Sequence, residues 1–183
     1  MNAFPATPKV TVVGVGAIGG VFAGWLGTRL AAGRIQLSAL ALGKTLSALR
    51  SSDDQGRAHH NTLHASDDPQ ALGAQDLVIV SVKGPSMQQV AQSMAPLLAP
   101  HTVVLVAMNG VPWWFFDGLA GDCEGLTLET VDPGSVTAAA LPTHHVLGCV
   151  VHVMPSNAPL LPFLAVLESL LAGNVNWVRP SSN

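Results

Sequence analysis

Charge is scarce in this chain. Asp, Glu, Lys and Arg together make up 10% of its 183 residues, against roughly 25% in an average soluble domain. With 49% hydrophobic residues, so little charge leaves apolar surface for a partner to cover, either a second copy in a homodimer or a further domain. The net charge of −3 gives no reason to expect nucleic acid. Acidic residues are missing altogether before Asp53, whereas Lys9, Arg29, Arg34, Lys44 and Arg50 fall in that stretch. Five acids gather between Asp117 and Asp132, so the amino-terminal third is the part suited to a polyanionic ligand. Cysteine is nearly absent too. Cys123 and Cys149 cannot build a disulfide framework or a metal cluster, and read as small buried residues in a reducing compartment. No apolar run approaches the roughly 18 residues of a membrane helix, and no charged leader precedes one. A protein of the cytoplasm, away from membranes, is expected.

What is present is a regular alternation. Lys9 to Val13 is a β-branched run that stops at glycines and reads as a buried parallel strand. Ala17 to Ala31 continues without proline as a helix, with Gly33 as its stop. Ile35 to Leu42, Asp76 to Val82, Thr102 to Met108 and Val146 to Met154 are further strands, and residues 51–68 hold an irregular one. Helices are predicted over Thr45 to Arg50, Pro85 to Leu98 and Leu161 to Leu171, with a last short strand at Asn174 to Val178. Such alternation predicts an α/β fold of the Rossmann type: a doubly wound, mostly parallel sheet with helices on both faces. Residues 1–183 are read as one dinucleotide-binding domain.

Between the first strand and the first helix lies Gly14-Val15-Gly16-Ala17-Ile18-Gly19. A lone G-x-G-x-x-G means little, but this one has the required strand before it and helix after it. Gly14 permits the tight turn, Gly16 lets the backbone approach a pyrophosphate, and Gly19 lets helix and strand pack closely. An NAD site places Asp or Glu roughly 20 residues further on, to accept from the ribose hydroxyls. Here the corresponding stretch, Ser38 to Lys44, contains no acid. NADP is therefore favoured over NAD, with Lys44 as the 2′-phosphate partner and Arg34 or Arg50 as lesser ones. The same missing acid disfavours a methyltransferase loop.

Five segments together resemble the ketopantoate reductase (2-dehydropantoate 2-reductase) family: KVTVVGVGAIGG (9–20), DLVIVSVKGPS (76–86), VAMNGVPWWFF (106–116), LETVDPGSVTAAALP (128–142) and VLGCVVHVMP (146–155). The resemblance implies an NADP-dependent reduction of a 2-oxo acid to a 2-hydroxy acid, 2-dehydropantoate to pantoate in pantothenate biosynthesis. It implies that Lys83 lies beside cofactor and substrate, that Asn109 hydrogen-bonds near the nicotinamide and the substrate, and that the backbone of Val153 meets the cofactor. Lys83 and Asn109 are positioning candidates; no catalytic residue is assigned. The family's catalytic lysine, its substrate-organising carboxylate and most substrate contacts belong to a helical carboxyl-terminal domain that the chain is expected to lack. The alternative is a catalytically inert NADP-binding module. Where many relatives carry an arginine near the end of the second strand, this chain has Leu42.

Other constellations read as structure. His59, His60 and His64 fall in a polar loop, and no metal site is expected. His144-His145 reads as a turn, and His152 as a core histidine on an apolar strand. Glu129 and Asp132 read as turn and capping residues around Asp-Pro-Gly. Trp113 to Phe116 read as packing, since no basic residues surround them to favour base stacking.

Overall fold

The structure is a computed structural model that describes residues 4–51 and 63–151. His59, His60, His152, Val153 and the helix and strand expected after Leu161 lie outside the described residues. Six strands form one all-parallel sheet: β1 (Lys9–Val13), β2 (Gln36–Leu40), β3 (His64–Ser66), β4 (Leu77–Val80), β5 (Val103–Ala107) and β6 (Val146–Cys149). Their order is β3-β2-β1-β4-β5-β6. The chain therefore winds outward from β1 in one direction, returns, and winds the other way from β4. The reversal leaves a crevice between β1 and β4, where ligands of open α/β sheets bind.

The reason for the parallel sheet is visible in the strands. Every residue of β4 and β5 is buried, so both faces of these strands need cover, and only crossover helices supply it. The registers Val12↔Ile79 and Val13↔Val80 divide the apolar residues between the two faces. On one face Val10, Val12, Leu37, Leu77, Ile79 and Leu105 join Phe22 and Leu26, which lie on α1 (Ala17–Ala31). On the other, Val13, Val78, Val80, Val104 and Val106 join Met87 and Ala91 of α4 (Met87–Ser93). One polar pair is buried among them: the Thr11 and Ser38 hydroxyls are 2.6 Å apart and satisfy each other.

The other helices are α2 (Gly43–Ser51), the single turn α3 (Pro69–Leu72) and α5 (Val136–Ala140). The helix predicted over Pro85 to Leu98 is broken into a 3-10 turn at Gly84–Ser86, α4, and a second 3-10 turn at Ala95–Leu97. Pro96 interrupts the ladder after α4, because it lacks the N–H that a continuous helix needs; Pro85 sits in the first turn, where its missing N–H costs no hydrogen bond. Two short helices escaped the apolar pattern. Asp68 caps α3 by accepting from the Gln70 N–H at 2.9 Å. At α5, the buried Asp132 carboxylate accepts from the Thr137 and Ala138 amides at 2.8 and 2.9 Å, so its capping role is as read. Glu129 accepts from the Gly134 N–H at 3.0 Å.

Trp113 is buried, and Trp113 and Trp114 stand edge to face with centroids 4.3 Å apart. Trp114 lies over Gly148, where a Cβ would come within 3.2 Å of its ring. His145 closes a 3-10 turn, is buried, and pairs its Nδ1 with the Thr102 carbonyl at 2.9 Å. Both cysteines are free thiols; burial pushes the Cys149 thiol up to about 11. Among the described residues, no helix is long and apolar enough to cross a membrane, and no three His, Cys, Asp or Glu residues are grouped as metal ligands would be.

Candidate cofactor site

The glycine loop stands at the carboxyl end of β1, at the switch point. Gly14 has φ +83°, a conformation that L side chains resist, and a Cβ there would sit 2.5 Å from Val82 Cγ1. At Gly19 a Cβ would run into the Gly14 carbonyl oxygen and lie 2.5 Å from Ser81 Oγ. Both glycines are thus required by close packing at the root of the loop. Gly16 is different: a Cβ added there meets nothing within 4 Å. Its bare Cα faces open space, the property a phosphate-bearing ligand needs for close approach. The loop is tied from three directions. Gly14 N–H donates to the Leu40 carbonyl at 3.1 Å, Gly16 N–H to the Gly14 carbonyl at 2.9 Å, and the Ser81 hydroxyl to the same carbonyl at 2.7 Å.

The first hydrogen bond of α1 runs from Gly20 N–H to the Gly16 carbonyl at 2.7 Å. The preceding N–H groups of Ala17, Ile18 and Gly19 have no backbone partner among the described residues. A helix N-terminus with three free donors and its positive dipole end suits a diphosphate. The loop therefore fits a dinucleotide on its own geometry: free donors, an open Cα at Gly16, and no carboxylate on the loop to repel it.

Lys44 is the second residue of α2, beyond the carboxyl end of β2, and is exposed. No acid stands between Leu40 and Lys44; the end of β2 instead carries Leu42, 67% exposed. Arg34 precedes β2 and so belongs to the opposite, amino-terminal edge. A strand of roughly 13 Å separates it from Leu40, which removes it as a partner for a ligand at the loop. The side chain of Arg50 lies outside the described residues.

Lys83 stands just past β4. The Ser81 N–H still pairs with the Val13 carbonyl at 3.0 Å, but β1 turns away at Gly14, and the chain leaves the sheet before Lys83. The residue instead heads the turn at Gly84–Ser86, where its carbonyl accepts from Ser86 N–H at 2.9 Å. Its ammonium is exposed and has no ion-pair partner among the described residues.

Asn109 follows β5 at the same edge and clamps the neighbouring chain. Its Nδ2 donates to the Val151 carbonyl and its Oδ1 accepts from the Val151 N–H, both at 2.8 Å. One amide proton and one lone pair of the carboxamide remain beyond this clip. Loop, Lys44, Lys83 and Asn109 thus follow β1, β2, β4 and β5 and share the carboxyl edge of the sheet. Two residues escaped sequence reasoning, Ser81 and Val151. A lone hydroxyl ending the apolar run Leu77–Val80 was the available signal for the first; nothing in a valine announces a backbone clip.

Comparison with known proteins agrees with this geometry. The model of the family "Ketopantoate reductase PanE/ApbA" matches residues 10–112, more than half of the chain. A second model, "Acyl-CoA reductase (LuxC)", matches residues 135–183, of which the structure describes only 135–151. The 2-dehydropantoate 2-reductase of Mesorhizobium japonicum is 38% identical over 149 residues, 79% of this chain and 44% of that protein. A crystal structure assigned as a ketopantoate reductase from Ralstonia solanacearum MolK2 is 39% identical with a TM-score of 0.70, covering 92% of this chain and 59% of that one. The 2-dehydropantoate 2-reductase structure from Porphyromonas gingivalis W83 shares the fold, with a TM-score of 0.59 at 19% identity over 92% of this chain and 63% of that one. The chain thus spans about half the length of these relatives. With the glycine loop, the β4 and β5 segments and the sheet order all in place, the chain belongs to the ketopantoate reductase PanE/ApbA family.

Proposed function

We propose that the chain binds NADP(H) across the β1/β4 crevice and serves as the cofactor-binding part of a reductase that converts a 2-oxo acid, 2-dehydropantoate, to the 2-hydroxy acid pantoate. The observation that carries this reading is the open Gly16 beside three free helix-start amides at the switch point. When bound, a reduced nicotinamide supplies the hydride. The chain's own residues bind and orient. Amides 17–19 hold the pyrophosphate, and Lys44 meets a 2′-phosphate that no carboxylate at the end of β2 repels. The Lys83 ammonium and the remaining Asn109 N–H position the oxo acid, whose carboxylate and carbonyl oxygens are acceptors. Neither is assigned the proton transfer. Two free thiols fit work in the reducing cytoplasm.

Fluorescence titration with NADPH and NADH tests the reading, followed by 2-dehydropantoate-dependent oxidation of NADPH. Tighter binding of NADPH, with the preference narrowed in Lys44→Ala, is the expected result. Binding without turnover supports an inert cofactor-binding module instead of a working reductase, and failure to bind either nucleotide overturns the reading.

A further inference from the structure

Gly14 stands at the root of the loop with φ +83°, and its carbonyl oxygen, if it faced a bound diphosphate, would set negative against negative. In the structure that oxygen is turned inward and takes two donors, Gly16 N–H at 2.9 Å and Ser81 Oγ at 2.7 Å, which fill both its lone pairs. The Ser81 hydroxyl has a single proton. Its other neighbour, the Val13 carbonyl, is at 3.3 Å, so the shorter contact to Gly14 takes it.

Among the described residues, Ser81 is the one side chain hydrogen-bonded to the loop Gly14–Gly19. Its own backbone is fixed, because its N–H is held by Val13 at 3.0 Å. Its Oγ is wedged at the loop's root, 2.5 Å from where a Gly19 Cβ would be. A hydroxyl just past β4 is thus bonded to the loop that follows β1.

We propose that Ser81 is a positioning residue for the nucleotide: through the Gly14 carbonyl its hydroxyl holds the loop so that the amides of Ala17, Ile18 and Gly19 face the pyrophosphate. The proposal rests on the cofactor reading above. It assigns Ser81 no contact with the nucleotide itself.

The test is NADPH binding by the full chain and its Ser81 variants, with thermal unfolding followed in parallel. Ser81→Ala is expected to weaken binding up to about tenfold, the upper worth of one neutral hydrogen bond. Ser81→Thr, which keeps the hydroxyl, is expected to bind within about threefold of the parent chain. If Ser81→Ala does not fold, Ser81→Cys, with a weak donor of similar bulk, replaces it under the same expectation. Amide proton shifts of Ala17 and Ile18 supply a second measurement in the unaltered chain, where NADPH is expected to move them more than the chain average. Undiminished binding by Ser81→Ala, or equal loss in the Ala and Thr variants, would each overturn the role of Ser81 and leave the cofactor reading standing; Ala17 and Ile18 amides unmoved by bound NADPH would overturn both that role and the assignment of amides 17–19 to the pyrophosphate. No NADPH or NADH binding by the parent chain would overturn the role of Ser81 and the cofactor reading together.

Discussion

Asn109 commits both ends of its carboxamide to one peptide unit, and Asp132 both oxygens to one helix start. Each makes a prediction at its own position. Asn109→Ala removes two hydrogen bonds of 2.8 Å to Val151 and should lower the unfolding free energy by about 2 kcal/mol in urea titration. Asn109→Asp sets a carboxylate oxygen where Nδ2 faced the Val151 carbonyl at 2.8 Å, acceptor against acceptor, and at neutral pH should cost at least as much as Asn109→Ala. For Asp132, burial pushes the carboxyl pKa up, but hydrogen bonds from Gln88, Ala138 and Thr137 outweigh burial and leave it below the usual carboxylate range. A group with a lowered folded pKa stabilises the fold at pH above its unfolded value, and that stabilisation is lost as pH falls through the folded one. The chain should therefore lose stability below about pH 4 more steeply than Asp132→Asn. At neutral pH the variant should be less stable by about 1 kcal/mol, the worth of a helix cap. Equal acid limbs for the two proteins would contradict this account.

The glycine loop separates folding from binding between neighbouring positions of one element. Gly16→Ala places a methyl in open space, so its unfolding free energy should stay within about 0.5 kcal/mol of the parent. Its NADPH affinity should nonetheless drop at least about tenfold, because the methyl occupies the line of approach. Gly19→Ala drives a methyl into the Gly14 carbonyl and Ser81 Oγ and should cost about 1–3 kcal/mol as overpacking. Calorimetry and titration of both variants check the contrast; a stable Gly19→Ala variant with full binding would refute it. The pattern of the elements was largely legible from the chain. Strand β1 and helix α1 fall where the apolar run and its glycines put them. What escaped was short: α3 and α5 span four and five residues, too few to show a helical period. They are held by the carboxylates of Asp68 and Asp132; the capping role of Asp132 was legible beside Asp-Pro-Gly, but the helix it starts was not.

At the scale of the whole molecule, a ligand that spans β1 and β4 should stiffen both halves of the winding at once. Free NADPH at a hundred times its Kd should stabilise the fold by about 2.7 kcal/mol. For a chain of this size that is a rise in Tm of roughly 5–10 °C, and NADH at the same concentration should give less. Equal shifts from both nucleotides would remove the case for Lys44.

The sequence by itself determined the alternation of strand and helix, the parallel sheet and the place of the glycine loop. These follow from local facts: continuous apolar runs, glycines at fixed spacing, and a missing acid after β2. Which residues meet was decided only in three dimensions. The strand order β3-β2-β1-β4-β5-β6 brings the ends of β1 and β4 together, although some 67 residues separate Gly14 from Ser81. It likewise sends Arg34 to the far edge and sets Asn109 against Val151, 42 residues on. Local pattern fixes what a segment can be, because it depends on neighbours along the chain. Contacts between segments depend on crossover direction and register, which are set by how the two apolar faces of the sheet are jointly covered.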